Sequence, residues 1–97
     1  MPAREPRVVV VYCSKCRFTL RATWLAQELL FSFGEELGEV ALVPGSGGVF
    51  EVWLGDEKLW DKASEQRFPE PKEIKQRIRD RAFPGKDLGH SEAKPAD

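Results

Sequence analysis

The sequence predicts an α/β (α+β) domain in the order β-α-β-β-β-α, carrying a four-stranded mixed sheet. Three observations predict it. Val8-Val9-Val10-Val11-Tyr12 is an unbroken, mostly β-branched run, the pattern of a central strand buried on both faces. Residues 17–33 contain no Gly or Pro and repeat apolar side chains at three- and four-residue steps, as an amphipathic helix does. Two short apolar runs flank Gly55-Asp56, a two-residue hairpin turn with Gly first.

The elements follow in order. The valine run is the first strand. Phe18, Ala22, Leu25, Leu29 and Phe33 form the core-facing stripe of the first helix, widened by Ala26 and Leu30, and Gly34 and Gly38 mark its end. Glu39 to Val43 is the second strand, and Pro44 to Gly48 a loop. Val49 to Leu54 alternates, with Phe50, Val52 and Leu54 on one side; Lys58 to Lys62 is the return strand. A loop from Ala63 to Phe68 leads to Pro71, which suits a first helical position. Ile74, Ile78 and Ala82 share one narrow face of the second helix. The run Lys72 to Arg81 reads as a solvated face supported by pairs such as Glu73–Arg77. Pro84-Gly85 closes this helix. Residues 1–85 thus make the domain, and 86–97 a polar C-terminal tail. The strand–helix–strand crossover should place its strands parallel, and the hairpin adds antiparallel strands.

With 97 residues, 41% hydrophobic and 32% charged, the chain fits one soluble domain. Fifteen basic side chains against sixteen acidic ones give a net charge of −1, against a nucleic-acid partner. No apolar run approaches the ~18 residues that span a bilayer, and no membrane role is expected. The five apolar residues from Val8 to Tyr12 are too few for the core of a signal peptide, about 7–15 residues, so the expected address is cytoplasmic.

Cys13 and Cys16 are the only cysteines. A loop this small constrains the unfolded chain little, so a disulfide scaffold is excluded. Redox chemistry, metal binding or a purely structural pair remain. Zinc needs about four ligands, and two cysteines with His90 in the tail do not complete a one-chain site; no metal is expected. The context favours redox chemistry. Cys13 falls at the carboxyl end of the first strand and the start of the first helix, where sites in such sheets lie. Backbone N–H groups at a helix start, with Lys15 and Arg17 alongside, favour a thiolate over a thiol. A two-residue spacer brings two sulfurs within bonding range. On this reading Cys13 is the more exposed sulfur and attacks, while Cys16, a turn inside the helix beneath Phe18 and Leu20, resolves.

Ser14, Gly47, Gly48 and Phe50 are expected to frame the site. The Gly45 to Gly48 loop reads either as an amide cradle for an anion or, more plainly, as a flexible connection; no Lys-Ser/Thr pair follows it as a phosphate loop requires. Bordering the cysteines, it would receive a peptide or glutathione backbone. Leu20, Trp24 and Phe31 lie opposite the core stripe of the first helix. Either the second helix or the tail covers them, or they form an apolar surface for a partner, a homodimer included.

Beyond the cysteine pair, residues along nearly the whole chain carry a resemblance. They are Tyr12-Cys13-x-x-Cys16, Leu20-Arg21-Ala22-x-Trp24-x-Ala26-Gln27-Glu28-Leu29-Leu30, Gly48-Val49-Phe50-Glu51-Val52, Arg67-Phe68-Pro69-Glu70, Lys75-Gln76-x-x-Arg79-Asp80 and Pro84-Gly85-Lys86-x-Leu88-Gly89-His90-Ser91. The chain resembles the Rdx-type, selenoprotein W-like family, within the wider group of selenoproteins W, T, V and H. Its closing stretch resembles the cysteine-containing bacterial branch. The resemblance implies a thioredoxin-like fold and a thiol-based redox centre, with glutathione as co-substrate. In selenium-containing members the selenium stands at the second motif position, here Cys16, whereas in thioredoxin the first cysteine attacks, here Cys13. Thioredoxin's cis-proline before its third core strand is replaced here by Gly48-Val49. Gln66 stands where the resemblance leads one to expect a glycine.

The leading reading is a small cytoplasmic thiol–disulfide or peroxide-responsive redox protein acting through Cys13 and Cys16. Lys15 and Arg17 tune the thiolate. It has no intrinsic cofactor and takes a protein disulfide or glutathione as partner. The alternative is a redox-sensing binding module in which the pair switches partner contact through Leu20, Trp24 and Phe31. Turnover separates the two.

Overall fold

A computed structural model describes residues 1–89. The strands are β1 (Arg7–Cys13), β2 (Glu39–Gly45), β3 (Phe50–Leu54) and β4 (Glu57–Asp61). The helices are α1 (Thr19–Phe33), a single turn α2 (Lys62–Glu65) and α3 (Pro71–Ala82), with a 3-10 turn at Gly34–Glu36. The sheet is four-stranded and mixed, in the order β2-β1-β3-β4. β1 and β2 are parallel; β3 is antiparallel to both β1 and β4. This is the expected architecture with one extra helical turn, which replaces part of the loop expected after the hairpin.

β1 is central, as the valine run predicts, but it is not buried on both faces. Val8 and Val10 are fully buried while Val9 and Val11 are half-buried. The reason is layering. The buried side chains of α1 and α3 join Val8, Val10, Phe50, Val52, Leu59 and Trp60 in a single core, so both long helices cover the same face. Leu59 and Trp60 are consecutive yet both buried because the β3–β4 register slips between Val52 and Trp53, leaving Leu59 without a direct partner. Trp60 donates its indole N–H to the Arg67 carbonyl at 3.1 Å, which satisfies its one buried donor.

Other boundaries differ for local reasons. β2 runs through Pro44 to Gly45 instead of stopping at Val43. It is an edge strand, where a residue lacking an N–H donor is tolerated. Leu30, expected in the core stripe, is half-exposed. The face of α3 is less solvated than its composition suggests. Lys75 is buried and meets Glu28 of α1 at 2.9 Å, while Arg77 bonds the Leu59 carbonyl and stacks over Trp60, acting on Glu73 through its charge without a direct ion pair. At the start of the expected tail, Lys86 bridges to Glu36 at 2.6 Å and Leu88 packs on the core. His90 and the rest of the tail lie outside the described residues. No helix among the described residues is long and apolar enough to cross a membrane.

Candidate functional site

Strand directions place Cys13, Gly45, Phe50 and Asp61 at one end of the sheet. Three connections meet there: the turn from Cys13 into α1, the loop after Gly45, and the segment from α2 to Pro71. Cys13 and Cys16 are bonded to each other, with Cα atoms 5.3 Å apart, within the usual range for a disulfide.

The turn is built by backbone hydrogen bonds. Phe18 N–H donates to the Cys13 carbonyl at 3.3 Å and Arg17 N–H to the Ser14 carbonyl at 3.2 Å. Arg17 has φ of +61°, a left-handed conformation that no α-helix continues. Hence α1 starts at Thr19, not at Arg17, and Cys16 lies in the turn before it. This reverses the expected exposure of the pair. Cys13 is 1% exposed, at the end of a central strand, whereas Cys16 is exposed together with Ser14, Lys15 and Arg17. Neither Phe18 nor Leu20 shields Cys16. Phe18 packs downward on Phe68 and Phe50, and Leu20 is 81% exposed.

The glycine loop closes over the other side of the turn. Cys13 N–H donates to the Val49 carbonyl at 2.8 Å, and Ser14 N–H to the Gly45 carbonyl at 3.2 Å. The loop therefore turns the Gly45 and Val49 carbonyl oxygens toward the cysteine strand. Gly47 and Gly48 have φ of +71° and +78°, where a side chain would be strained. A Cβ on Gly45 would meet Val49 at 2.8 Å and Val11 at 3.3 Å. Small backbone is thus required beside Cys13. Phe50 is buried and underlies the site, not lining its surface.

Beneath the turn sits a triple aromatic cluster. Phe68 is edge-on to Phe18 (centroids 4.8 Å) and to Phe50 (5.1 Å). The Arg21 guanidinium lies 4.2 Å above the Phe68 ring, and the Lys62 ammonium lies 5.3 Å from Phe68 and 5.7 Å from Phe18. Arg21, Lys62 and Phe68 were not singled out from the sequence as site residues. The available signal was topological: Lys62 follows the strand whose carboxyl end shares the cysteine end of the sheet, and Arg21 is in the first turn of α1. Phe68 is braced from behind. Arg67 donates two hydrogen bonds to the Glu73 carboxylate at 2.8 and 2.7 Å. This guanidinium holds the Glu73 carboxyl down at about 2, well below its ordinary value.

Leu20, Trp24 and Phe31 are 81%, 49% and 83% exposed along the outer side of α1. Leu20 and Phe31 stand open to solvent, while Trp24 is half covered and borders a cleft with Glu28 of α1 and with Pro71, Lys72 and Lys75 of α3. Leu20 is the member nearest the cysteine turn.

A family model described as the Rdx family matches residues 7–80. A crystal structure of a protein from Bordetella parapertussis is 54% identical in sequence, with a TM-score of 0.74 over 76% of this chain and 94% of that one. The crystal structure of a selenoprotein W-related protein from Vibrio cholerae is 44% identical, also with a TM-score of 0.74, over 76% of this chain and 92% of that one. Among curated proteins none matches.

Proposed function

The chain belongs to the Rdx family, and from that premise we propose that it is a small thiol–disulfide exchange protein of thioredoxin-like fold in which Cys16 attacks and Cys13 resolves. The observation that carries this is the unequal exposure of a bonded pair: Cys16 is exposed, while Cys13 is only 1% exposed. In the reduced protein the Cys16 thiolate attacks a substrate disulfide. A bond forms between Cys16 Sγ and one substrate sulfur, and the other substrate sulfur leaves as a thiolate. Cys13 then attacks Cys16 Sγ, forming the Cys13–Cys16 disulfide and expelling the second substrate thiolate. Two electrons pass from the protein to the substrate. Two equivalents of a small thiol, glutathione in our reading, return the pair to the dithiol. Peroxide oxidises the pair to the same disulfide through a sulfenic acid on Cys16. The cytoplasm, where small thiols keep such pairs reduced, suits this cycle.

Lys15 and Arg17 flank Cys16 and stabilise its thiolate over the thiol. α1 adds to this, since its start carries no side-chain cap and no acidic residue.

The test is trapping. With Cys13→Ser, a mixed disulfide with glutathione should accumulate on Cys16; with Cys16→Ser, modification of Cys13 should be slow. Faster modification of Cys13 would reverse the assignment. The exposed Leu20, Trp24 and Phe31 support a second reading, a redox-switched binding module. Its signature is a single oxidation without catalytic turnover under dithiothreitol, together with a partner affinity that Trp24→Glu abolishes.

A further inference from the structure

We propose that Arg21 and Lys62 form a carboxylate-recognising clamp beside Cys16, so that the protein selects disulfides bearing carboxylates within a few bonds of the sulfur. The inference rests on the exchange reading above and names its substrate class.

The first observation is the distribution of ion pairs. Lys58, Arg67, Lys75, Arg81 and Lys86 each meet a carboxylate. At the cysteine end Lys15, Arg17, Arg21 and Lys62 have no carboxylate within ion-pair distance among the described residues. The acids near Lys62 in sequence are engaged elsewhere. Asp61 accepts from Lys58 at 3.1 Å and from the Ala63 amide at 3.0 Å, and Glu65 acts on Arg67.

The second observation is that two of these four cations are held in place. Arg21 and Lys62 come from separate elements, α1 and α2, and converge on the ring of Phe68. A cation over an aromatic face is positioned without being neutralised, so its charge and its outward N–H donors remain available. The ring itself is fixed by Phe18, Phe50 and the Arg67–Glu73 brace. Phe18 is two residues past Cys16, and Lys62 also lies 5.7 Å from its ring, which sets these charges at the cysteine end of the sheet. Lys15 and Arg17, on the turn itself, act on the thiolate and on any substrate alike. The clamp acts on the substrate's own charge.

The experiment compares initial rates on three small disulfides of similar size: dithiodipropionate (anionic), bis(2-hydroxyethyl) disulfide (neutral) and cystamine (cationic), with dithiothreitol as reductant. The readout is the ratio of the anionic to the neutral rate, because a change in the amount of thiolate scales both and cancels. Wild-type protein should show a ratio of about ten at low salt, falling toward one at 0.5 M salt, where the Debye length is about 4 Å. Arg21→Gln with Lys62→Gln should bring the ratio close to one, and Lys62→Glu should turn the preference toward cystamine. Lys62→Arg should retain the anionic preference. A wild-type ratio of one, or a double variant that keeps the wild-type ratio, overturns the clamp while leaving the exchange reading standing. Absence of catalysed reduction of all three disulfides overturns both.

Discussion

Two long helices begin at the same end of the sheet, and they begin differently. α3 opens with Pro71 in its first turn and a reciprocal pair in which Glu70 and Glu73 satisfy one another's backbone N–H groups; Arg67 braces the Glu73 carboxylate from outside. α1 opens after Phe18 with no side-chain cap and no acid in its first turn, directly behind the cysteine turn. A capped start is worth about 1 kcal/mol, so the bare start of α1 forgoes stability available to almost any helix. The difference separates two jobs at one end of a small domain. The approach to α3 is a rigid floor that holds Phe68, and the approach to α1 leaves charge and backbone donors unspent around Cys16.

The largest expected effect breaks the floor. The Glu73 carboxyl titrates at about 2 in the folded protein against 4.5 ordinarily, chiefly because of its hydrogen bonds from Arg67. A carboxyl whose folded pKa is depressed contributes stability that is complete above its unfolded pKa and lost as pH falls through the folded one. The urea midpoint should therefore drop between about pH 4.5 and pH 2. Glu73→Gln should flatten this part of the profile and cost about 1–2 kcal/mol at neutral pH, discounted for the exposure of the pair. An unchanged acid profile in Glu73→Gln would show that the brace does not hold the floor.

Much of this architecture was legible because its signals are local. Strand period, helical period, the Gly55-Asp56 turn and the strand–Cys–helix junction each sit within a few residues. The exposure of the two sulfurs was not legible. It turns on the left-handed backbone at Arg17, a residue type that gives no hint of that conformation. The open face of β1 was also hidden, since a valine run does not say whether two helices cover one face or both. The convergence of Arg21, Lys62 and Phe68 joins residues over forty positions apart and follows only from strand order. Gln66 is an intermediate case. It stands where the family resemblance led us to expect a glycine, and its φ of +60° supplies the backbone reason for that expectation.

The next effect sharpens the contrast between the two approaches, because each contains one non-glycine residue in the left-handed region: Arg17 before α1 and Gln66 before α3. Gln66→Gly and Arg17→Gly should each relieve backbone strain of about 1–2 kcal/mol, offset in part by the extra freedom of glycine in the unfolded chain. A net gain of about 0.5–1 kcal/mol is expected at both sites from thermal or urea unfolding. The redox readout should separate them. Gln66→Gly should exchange disulfides at the wild-type rate, while Arg17→Gly, lacking a cation next to Cys16, should be slower. Equal rates in the two variants would remove Arg17 from any part in the chemistry.

The smallest effect tests the contrast most directly, by giving α1 part of what α3 already has. Thr19 is the exposed first residue of α1, and Thr19→Glu places a carboxylate among its unsatisfied N–H groups. An acid at that position stabilises a helix by about 0.3–1 kcal/mol, so the variant should unfold at a slightly higher urea concentration. The same carboxylate competes with the Cys16 thiolate for the positive end of the helix and repels it. Exchange with a neutral disulfide should slow roughly two- to fivefold, the same energy read as a rate. Stability and reactivity should thus move in opposite directions on a single substitution, which simple damage to the fold would not produce. If Thr19→Glu stabilises the protein and leaves the exchange rate unchanged, the bare start of α1 has no role in Cys16 reactivity, and Lys15 and Arg17 carry the electrostatics alone.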